Sequence, residues 1–214
     1  MDDADAAARE AAEQATAGKA AERLIFFSDA VIAIAITLLA IDLPVPEFES
    51  VEALMESLRQ NAYEYAAFLI SFYVIGNHWT IHHRVFRYVA RADGPVVGQN
   101  MAWLLVIILT PFLTKVATEG EGVLSFACYA VPQAVQTLLM AWLIRTIARK
   151  GWFTADAPPW LPTRGHRTSI WFAIGFLVSV PVYLLVGSWA FAVWWLVPNL
   201  LNWLTRPRRS AAAT

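Results

Sequence analysis

Apolar stretches of about 20 residues recur along most of this chain, each long enough to cross a hydrocarbon layer roughly 30 Å thick as a helix. Hydrocarbon offers the backbone no hydrogen-bond partners, so a run of this kind has to bond its own N–H and C=O groups and is confined to helix. Of the 214 residues, 58% are hydrophobic and 15% charged. Ordinary soluble domains have about 45–50% and about 25%, which sets this chain outside the soluble class. The expected fold is an all-α, multi-pass membrane protein whose surroundings are lipid. A net charge of -1 and a sequence pI ≈ 6.4 argue against a nucleic-acid partner, which selects for a concentrated basic face.

Six windows can be read. The first, Leu24 to Leu43, closes on Pro44 and Pro46, which a helix interior does not tolerate. The second is apolar from Tyr65 to Ile81 and starts in an amphipathic stretch at Ser50. The third runs from Val96 to Val116 with Pro111 near its end, and the fourth from Val123 to Ile147 with Pro132 inside. The fifth, Ile170 to Val186, and the sixth, Trp189 to Trp203, are separated only by Gly187 and Ser188 and are expected to form an antiparallel hairpin. Residues 1–20 are acidic and Ala-rich, without the basic start or cleavage pattern of a secretory signal. They are expected as a mobile or weakly helical cytosolic tail, residues 21–205 as the membrane domain and 206–214 as a second tail. The single cysteine, Cys128, lies in the fourth window. It allows neither an intramolecular disulfide nor a cysteine metal site and is expected as a small core residue.

Orientation follows the basic residues, which are retained on the cytoplasmic side of a membrane. Arg9, Lys19 and Arg23 precede window one, Arg84, Arg87 and Arg91 follow window two, and Arg145, Arg149, Lys150, Arg164 and Arg167 lie between windows four and five. With Arg206, Arg208 and Arg209 at the end, 14 of the 16 basic residues share one side, and only Arg59 and Lys115 fall on the other. Both termini are therefore expected in the cytoplasm. The outer side carries Asp42, Glu47, Glu49, Glu52, Glu56, Glu64, Glu119 and Glu121. Together they would raise the local cation concentration, while each taken alone reads as a solvated loop residue.

The first window is the most informative. Asp29, beside the hydroxyl of Ser28 and one and a half turns from Arg23, is costly in hydrocarbon, which makes it a functional candidate by default. Beyond it polar residues nearly vanish. Ile34, Leu38 and Ile41 follow at i, i+4 and i+7 on one helix face, with Thr37 beside them. Spacing alone favours an ordinary packing stripe in a helix that faces protein.

Arg23-x-x-x-Phe27-Ser28-Asp29, followed by Thr37-Leu38-Leu39, resembles the Arg-x-x-x-Phe-Ser-Asp signature of the first helix in the transmembrane protein 175 family of potassium channels. The resemblance implies a six-helix unit with cytoplasmic termini in a prokaryotic plasma membrane, assembled as a homotetramer whose first helices line a pore for potassium ions. It also implies that Ile34 forms the narrowest ring, Leu38 and Ile41 further rings toward the outside, and Thr37 a hydroxyl beside them. Four aliphatic side chains around an axis make a constriction that gates by dewetting. No TVGYG-like segment occurs in the chain, so selectivity over sodium is expected to be modest and to come from diameter and dehydration cost. Proton permeation alongside potassium is a related expectation.

A second polar cluster, Gly76 to Arg84, contains Asn77, His78, Trp79, Thr80, His82 and His83. His78 and His82 lie at i and i+4 on one face. A zinc site lacks a third ligand and the usual Glu between the histidines. A proton relay fits the titration range of His. The favoured reading is a hydrogen-bonded network with Ser28 and Asp29 that holds the first helix in place; Gln99 and Asn100 can join it or equally serve only the start of the third helix. Gln133, Gln136 and Thr137 in window four are read as interhelical packing. No phosphate loop, nucleophile with a base, or paired membrane carboxylates points to an enzyme, and no cofactor or bound metal is implied. The alternative from another class is a small proton-coupled secondary transporter using Asp29 and His78; the expected repeats and broken helices are not visible. A non-conducting scaffold is the third reading.

Overall fold

The computed structural model describes residues 2–205, so the second tail, with Arg206, Arg208 and Arg209, lies outside the described residues. The chain is all-α. The elements are α1 (Asp2–Leu38), α2 (Val51–Gln60), α3 (Ala62–Phe86), α4 (Gly94–Glu119), α5 (Gly122–Arg149), α6 (Trp160–Val186), a 3-10 turn (Gly187–Ala192) and α7 (Val193–Leu204). Six of the seven α-helices build the bundle, and α2 is a short amphipathic helix capped by Ser50, whose Oγ accepts from Ala53 N at 3.0 Å. Three units are long and apolar enough to cross a membrane by length and composition: Gly94–Glu119, Gly122–Arg149 and Trp160–Leu204. The other two long helices carry more polar groups: Glu22, Arg23 and Asp29 in α1, Glu64 and the Asn77 to Arg84 cluster in α3.

Residues 2–20, expected as part of a mobile or weakly helical tail, are helical and continuous with the first span: α1 runs without a break from Asp2 to Leu38 over 37 residues, about 55 Å. Its Ala-rich half has high intrinsic helix propensity, and nothing between it and the span interrupts the ladder. The other end stops short of the Leu43 expected from hydropathy. After Leu38 the chain tightens into i+3 bonds, Ala40 N to Thr37 O at 3.1 Å and Ile41 N to Leu38 O at 3.2 Å. Pro44, three residues further on, cannot continue a helix and disfavours helical geometry at Leu43.

α5 packs along α6 and α4, α6 along α7, and α1 against α4 and α3. The core divides accordingly. One cluster joins α1, α3, α4 and α5 through Ile32, Ala35, Ile75, Trp103, Ile107 and Ile144. The other joins α5, α6 and α7 through Phe126, Tyr129, Ala130, Phe176, Ala190 and Trp194. Gly175 permits the second, since a Cβ there would meet Pro198 Cδ at 3.2 Å. Gly187 turns the chain at φ 58, a conformation open to glycine at little cost. Cys128 is exposed rather than in the core. The inward positions of α5 are Phe126, Tyr129, Ala130 and Gln133, and residue 128 lies on the opposite side of a 3.6-residue turn.

The two loops expected on the inner side meet. Ala90 N donates to Trp152 O and Thr154 N to Tyr88 O, both at 2.8 Å, around an isolated antiparallel bridge between Val89 and Phe153. Lys150 Nζ pairs with Asp93 Oδ2 beside it, and Asp93 also caps α4, accepting from Val96 N at 3.1 Å. Partial burial pushes the Asp93 carboxyl up, but the bonds from Lys150 and Val96 outweigh it and hold the group below its ordinary value. A depressed folded-state value means stability that is present above the unfolded value and lost as pH falls through the folded one. Thermal unfolding of the solubilised protein across acid pH checks this. The acid-dependent loss is expected to shrink in Lys150→Met, and an unchanged profile would show that the clasp adds nothing.

Candidate functional site

α1 has two faces. Leu24, Ser28, Ile32, Ala35 and Leu39 are buried, spaced by four, four, three and four residues against α4 and α3. The opposite side is bare. Ile34 is 59% exposed, Leu38 40% and Phe27 52%, and Arg23, Ala30, Ala33 and Thr37 are exposed with them. Thr37 Oγ1 donates to Ile34 O at 2.8 Å, leaving its lone pairs turned outward. Ile41 is 74% exposed but sits in the turn after the helix. Val31, Ile34, Ala35, Leu38 and Ile108 of α4 line an apolar recess of about 200 Å³.

Uncovered apolar surface is expected wherever a helix meets lipid, so composition has to separate one such face from another. The outer surface of α6 and α7 carries Leu184, Leu185, Trp189, Trp195, Leu196 and Trp203, bulky and aromatic as befits a lipid boundary. The bare stripe of α1 instead mixes small residues, a hydroxyl and aliphatic side chains, with Arg23 at its N-terminal end. No Trp lies in it.

Behind the stripe, two polar bonds fix the rotation of α1. Ser28 Oγ donates to Leu24 O at 2.8 Å and accepts from Asn100 Nδ2 of α4 at 2.9 Å. Asn100 Oδ1 meets His82 Nε2 of α3 at 3.0 Å. With the amide oxygen as acceptor, the hydrogen sits on Nε2. All three residues are buried, and the His82 ring is stacked between Phe86, at 4.0 Å, and Trp103, at 4.9 Å. Asp29 faces the other neighbour: its Oδ1 accepts from Trp79 Nε1 at 3.0 Å. α1 is thus bonded to α4 through Ser28 and to α3 through Asp29.

His78 and Asn77 take no part in this. His78 is buried with its ring edge-on to Trp103 and beside Gln133. Asn77 turns toward α6 and α7, lining a cavity of about 20 Å³ with Tyr73, Phe172, Trp194 and Trp195. Asp29 and His78, the pair of the transporter reading, share no hydrogen bond. The C-terminal end of α1 opens on a cleft of about 240 Å³ bounded by Leu38, Asp42, Glu64, Phe68, Lys115 and Glu119. Lys115 lies 3.5 Å from Asp42 and 3.9 Å from Glu119. Trp79 stood in the cluster expected to bond Ser28 and Asp29 without a partner of its own, and it is the member that reaches Asp29. An indole N–H within a span needs an acceptor, and a carboxylate in a neighbouring span is a strong one.

Residues 23–111 match the family described as endosomal/lysosomal potassium channel TMEM175. A potassium channel of Streptomyces collinus is 35% identical over 163 residues, covering 72% of this chain and 77% of the relative. A chicken protein named as an endosomal/lysosomal proton channel, TMEM175, is 39% identical over 106 residues, 46% of this chain and 21% of that protein. Among solved structures, the crystal structure of a lysosomal potassium-selective channel TMEM175 homolog from Chamaesiphon minutus superposes with a TM-score of 0.71 at 25% identity, covering 88% of this chain and 100% of that one. A fold of this likeness and a relative aligned over most of both lengths place the chain in the TMEM175 family.

Proposed function

We propose that this chain is the subunit of a potassium-conducting cation channel, in which four copies turn the bare stripe of α1 toward a common axis. The observation that carries the reading is the stripe itself: Ile34 and Leu38 exposed on a helix whose rotation is fixed from behind by Ser28 and Asp29. Ile34 forms the narrowest ring, Leu38 and Ile41 the rings beyond it, and Thr37 places a hydroxyl between them. Arg23 and Phe27 border the inner mouth. Asn100, His82 and Trp79 are positioning residues that never meet the ion.

An aliphatic ring cannot replace an ion's hydration shell. Permeation then costs dehydration, which is smaller for potassium than for the more tightly hydrated sodium, and discrimination is modest. Protons can move along a thin file of water without stripping a shell, and the naming of the chicken relative as a proton channel supports a proton permeability. The outer acids, Asp42, Glu64 and Glu119, concentrate cations at the mouth. Both termini face the cytoplasm, in keeping with the basic residues gathered in the two loops that the Val89 to Phe153 bridge joins.

The test is reconstitution. Vesicles holding the purified protein and loaded with potassium are diluted into sodium, and the mass of the assembly is read in parallel. Potassium-driven flux with a particle of four 23.8 kDa subunits is the expected result. A folded oligomer without flux, or a monomer that transports, overturns it.

A further inference from the structure

We propose that the end of the bundle carrying the α5–α6 loop holds the headgroup of an anionic glycerophospholipid, clamped between Arg145 of α5 and His166 and Arg167 of α6. The exposed stripe of α5 leads to this place. Leu124, Val131, Val135, Leu138 and Trp142 are all exposed, and Arg145 and Arg149 are exposed beyond them. Leu138, Trp142, Arg145 and Arg149 fall within about 60° of one another around the helix. Along this line apolar side chains give way to an indole, and the indole to guanidinium groups. Hydrocarbon, headgroup boundary and phosphate follow one another in the same order along a lipid.

The second helix completes the site. α5 and α6 touch at Ile144 and Gly165, where an added Cβ would lie 3.4 Å from Ile144 Cγ2. Arg145 and His166 are the next residues along from that contact, and the charges of Arg145 and Arg167 both reach the His166 ring. His166 and Arg167 are half-buried, while Arg145 is exposed. From Arg145 to Arg167 the chain has five Lys and Arg residues against one acid, Asp156. The ion pairs among the described residues use Lys115 and Lys150, so neither arginine is paired with a carboxylate there. Lys150 is spent on Asp93 and on the Trp152 ring, whose centroid is 4.3 Å away. Two guanidinium groups gathered at one imidazole repel each other, and an anion between them turns that repulsion into attraction.

A phosphodiester suits these three donors. A guanidinium presents two parallel N–H groups to a pair of phosphate oxygens, and a ring N–H of His166 adds a third direction. The apolar continuation decides between a lipid and a free phosphate. An acyl chain running from Arg145 past Leu138 and Val135 to Val131 covers about 21 Å of helix, more than half of the roughly 30 Å hydrocarbon layer. A soluble phosphate gains nothing from that stretch. A phosphatidylcholine headgroup brings a cation along with its phosphate, which the two arginines repel; phosphatidylglycerol brings none. The site needs a bilayer but not conduction, so it stands apart from the channel reading.

The experiment is native mass spectrometry of the whole protein, released from nanodiscs of phosphatidylglycerol or of phosphatidylcholine with the same acyl chains, with retained lipid counted per subunit. The wild type is expected to keep phosphatidylglycerol and shed phosphatidylcholine. Arg145→Gln and Arg167→Gln are each expected to cut phosphatidylglycerol retention at least about fivefold, and Arg87→Gln, which removes one charge from the loop bridged to this one, to change it less than about twofold. Equal retention of the two lipids assigns the binding to acyl chains, and an equal loss in Arg87→Gln assigns it to overall charge; either overturns the inference. Inorganic phosphate that displaces the lipid from the detergent-solubilised wild type gives the site to a soluble anion and overturns it likewise. Should the variants fail to assemble, phosphatidylglycerol with a photoreactive headgroup decides on the wild type. Label in the peptides spanning residues 142–149 and 164–171 supports the site, and label confined to other segments removes it.

Discussion

Ile34→Asn raises cation flux through the reconstituted protein and narrows the difference between potassium and sodium. The substitution replaces a ring of sec-butyl groups by smaller side chains whose carboxamides bond water. The dewetting barrier of the constriction falls, and each 1.4 kcal/mol of lowering is worth about tenfold in rate. Four substituted side chains act at one level of the axis, so an increase of about tenfold is the expected size. Sodium gains more than potassium, since the part of the barrier removed is the part that charges most for a tightly held hydration shell. Paired measurements of potassium and sodium efflux check both statements, and a variant with wild-type rate and wild-type discrimination removes Ile34 from the pore. The side chain is 59% exposed in the isolated subunit, so the change does not disturb the subunit's own core.

Asn100→Leu acts from the other side of the same helix. The wild-type carboxamide receives His82 Nε2 and donates to Ser28 Oγ. Leucine offers neither function. Ser28 keeps its bond to Leu24 O, but His82, whose Nδ1 is already without a partner, is left with no bond at either nitrogen. An orphaned buried group costs about 1–3 kcal/mol and a lost neutral bond about 1 kcal/mol, so a loss of about 2–3 kcal/mol is expected. For a chain of this size that corresponds to a fall of roughly 5–10 °C in the midpoint, read by heating the solubilised protein and following the remaining oligomer by size exclusion. Gln99→Leu is the control: its bond to Thr146 Oγ1 at 3.1 Å does not touch α1, and its effect is expected to be less than half as large. Equal midpoints for Asn100→Leu and the wild type would mean that the Ser28 to His82 chain does not fasten α1.

Much of this architecture is legible in the residues because hydrocarbon leaves a chain so few options. Window lengths, the prolines that close the first span and the clustering of Lys and Arg follow from the solvent alone, and the Arg23 to Asp29 motif marks the helix that carries the bare stripe. The identity of polar partners is another matter. His78, Trp79 and Asn77 are adjacent in sequence, and consecutive helical residues point about 100° apart. Which of them meets α1 depends on how α3 is rotated by its packing against α4 and α5, a tertiary quantity that spacing does not contain. His82 contacts Ser28 only through Asn100, a relay between three helices. Cys128 is the opposite case. Its place opposite Phe126 and Ala130 was readable from the period of α5, had hydropathy not been taken as a guide to depth.

The uninterrupted course of α1 has a mechanical meaning. Ser28 and Asp29 are pivots, with about 39 Å of helix on the N-terminal side of them and about 9 Å between them and Ile34. A rigid rod held at such a point is a lever with an advantage of about four. A small force applied near Asp2 arrives at Ile34 multiplied, while a displacement there arrives divided. The N-terminal end of the helix is thus a long handle on the bare stripe at Ile34, where it trades a wide swing for a small, forceful one.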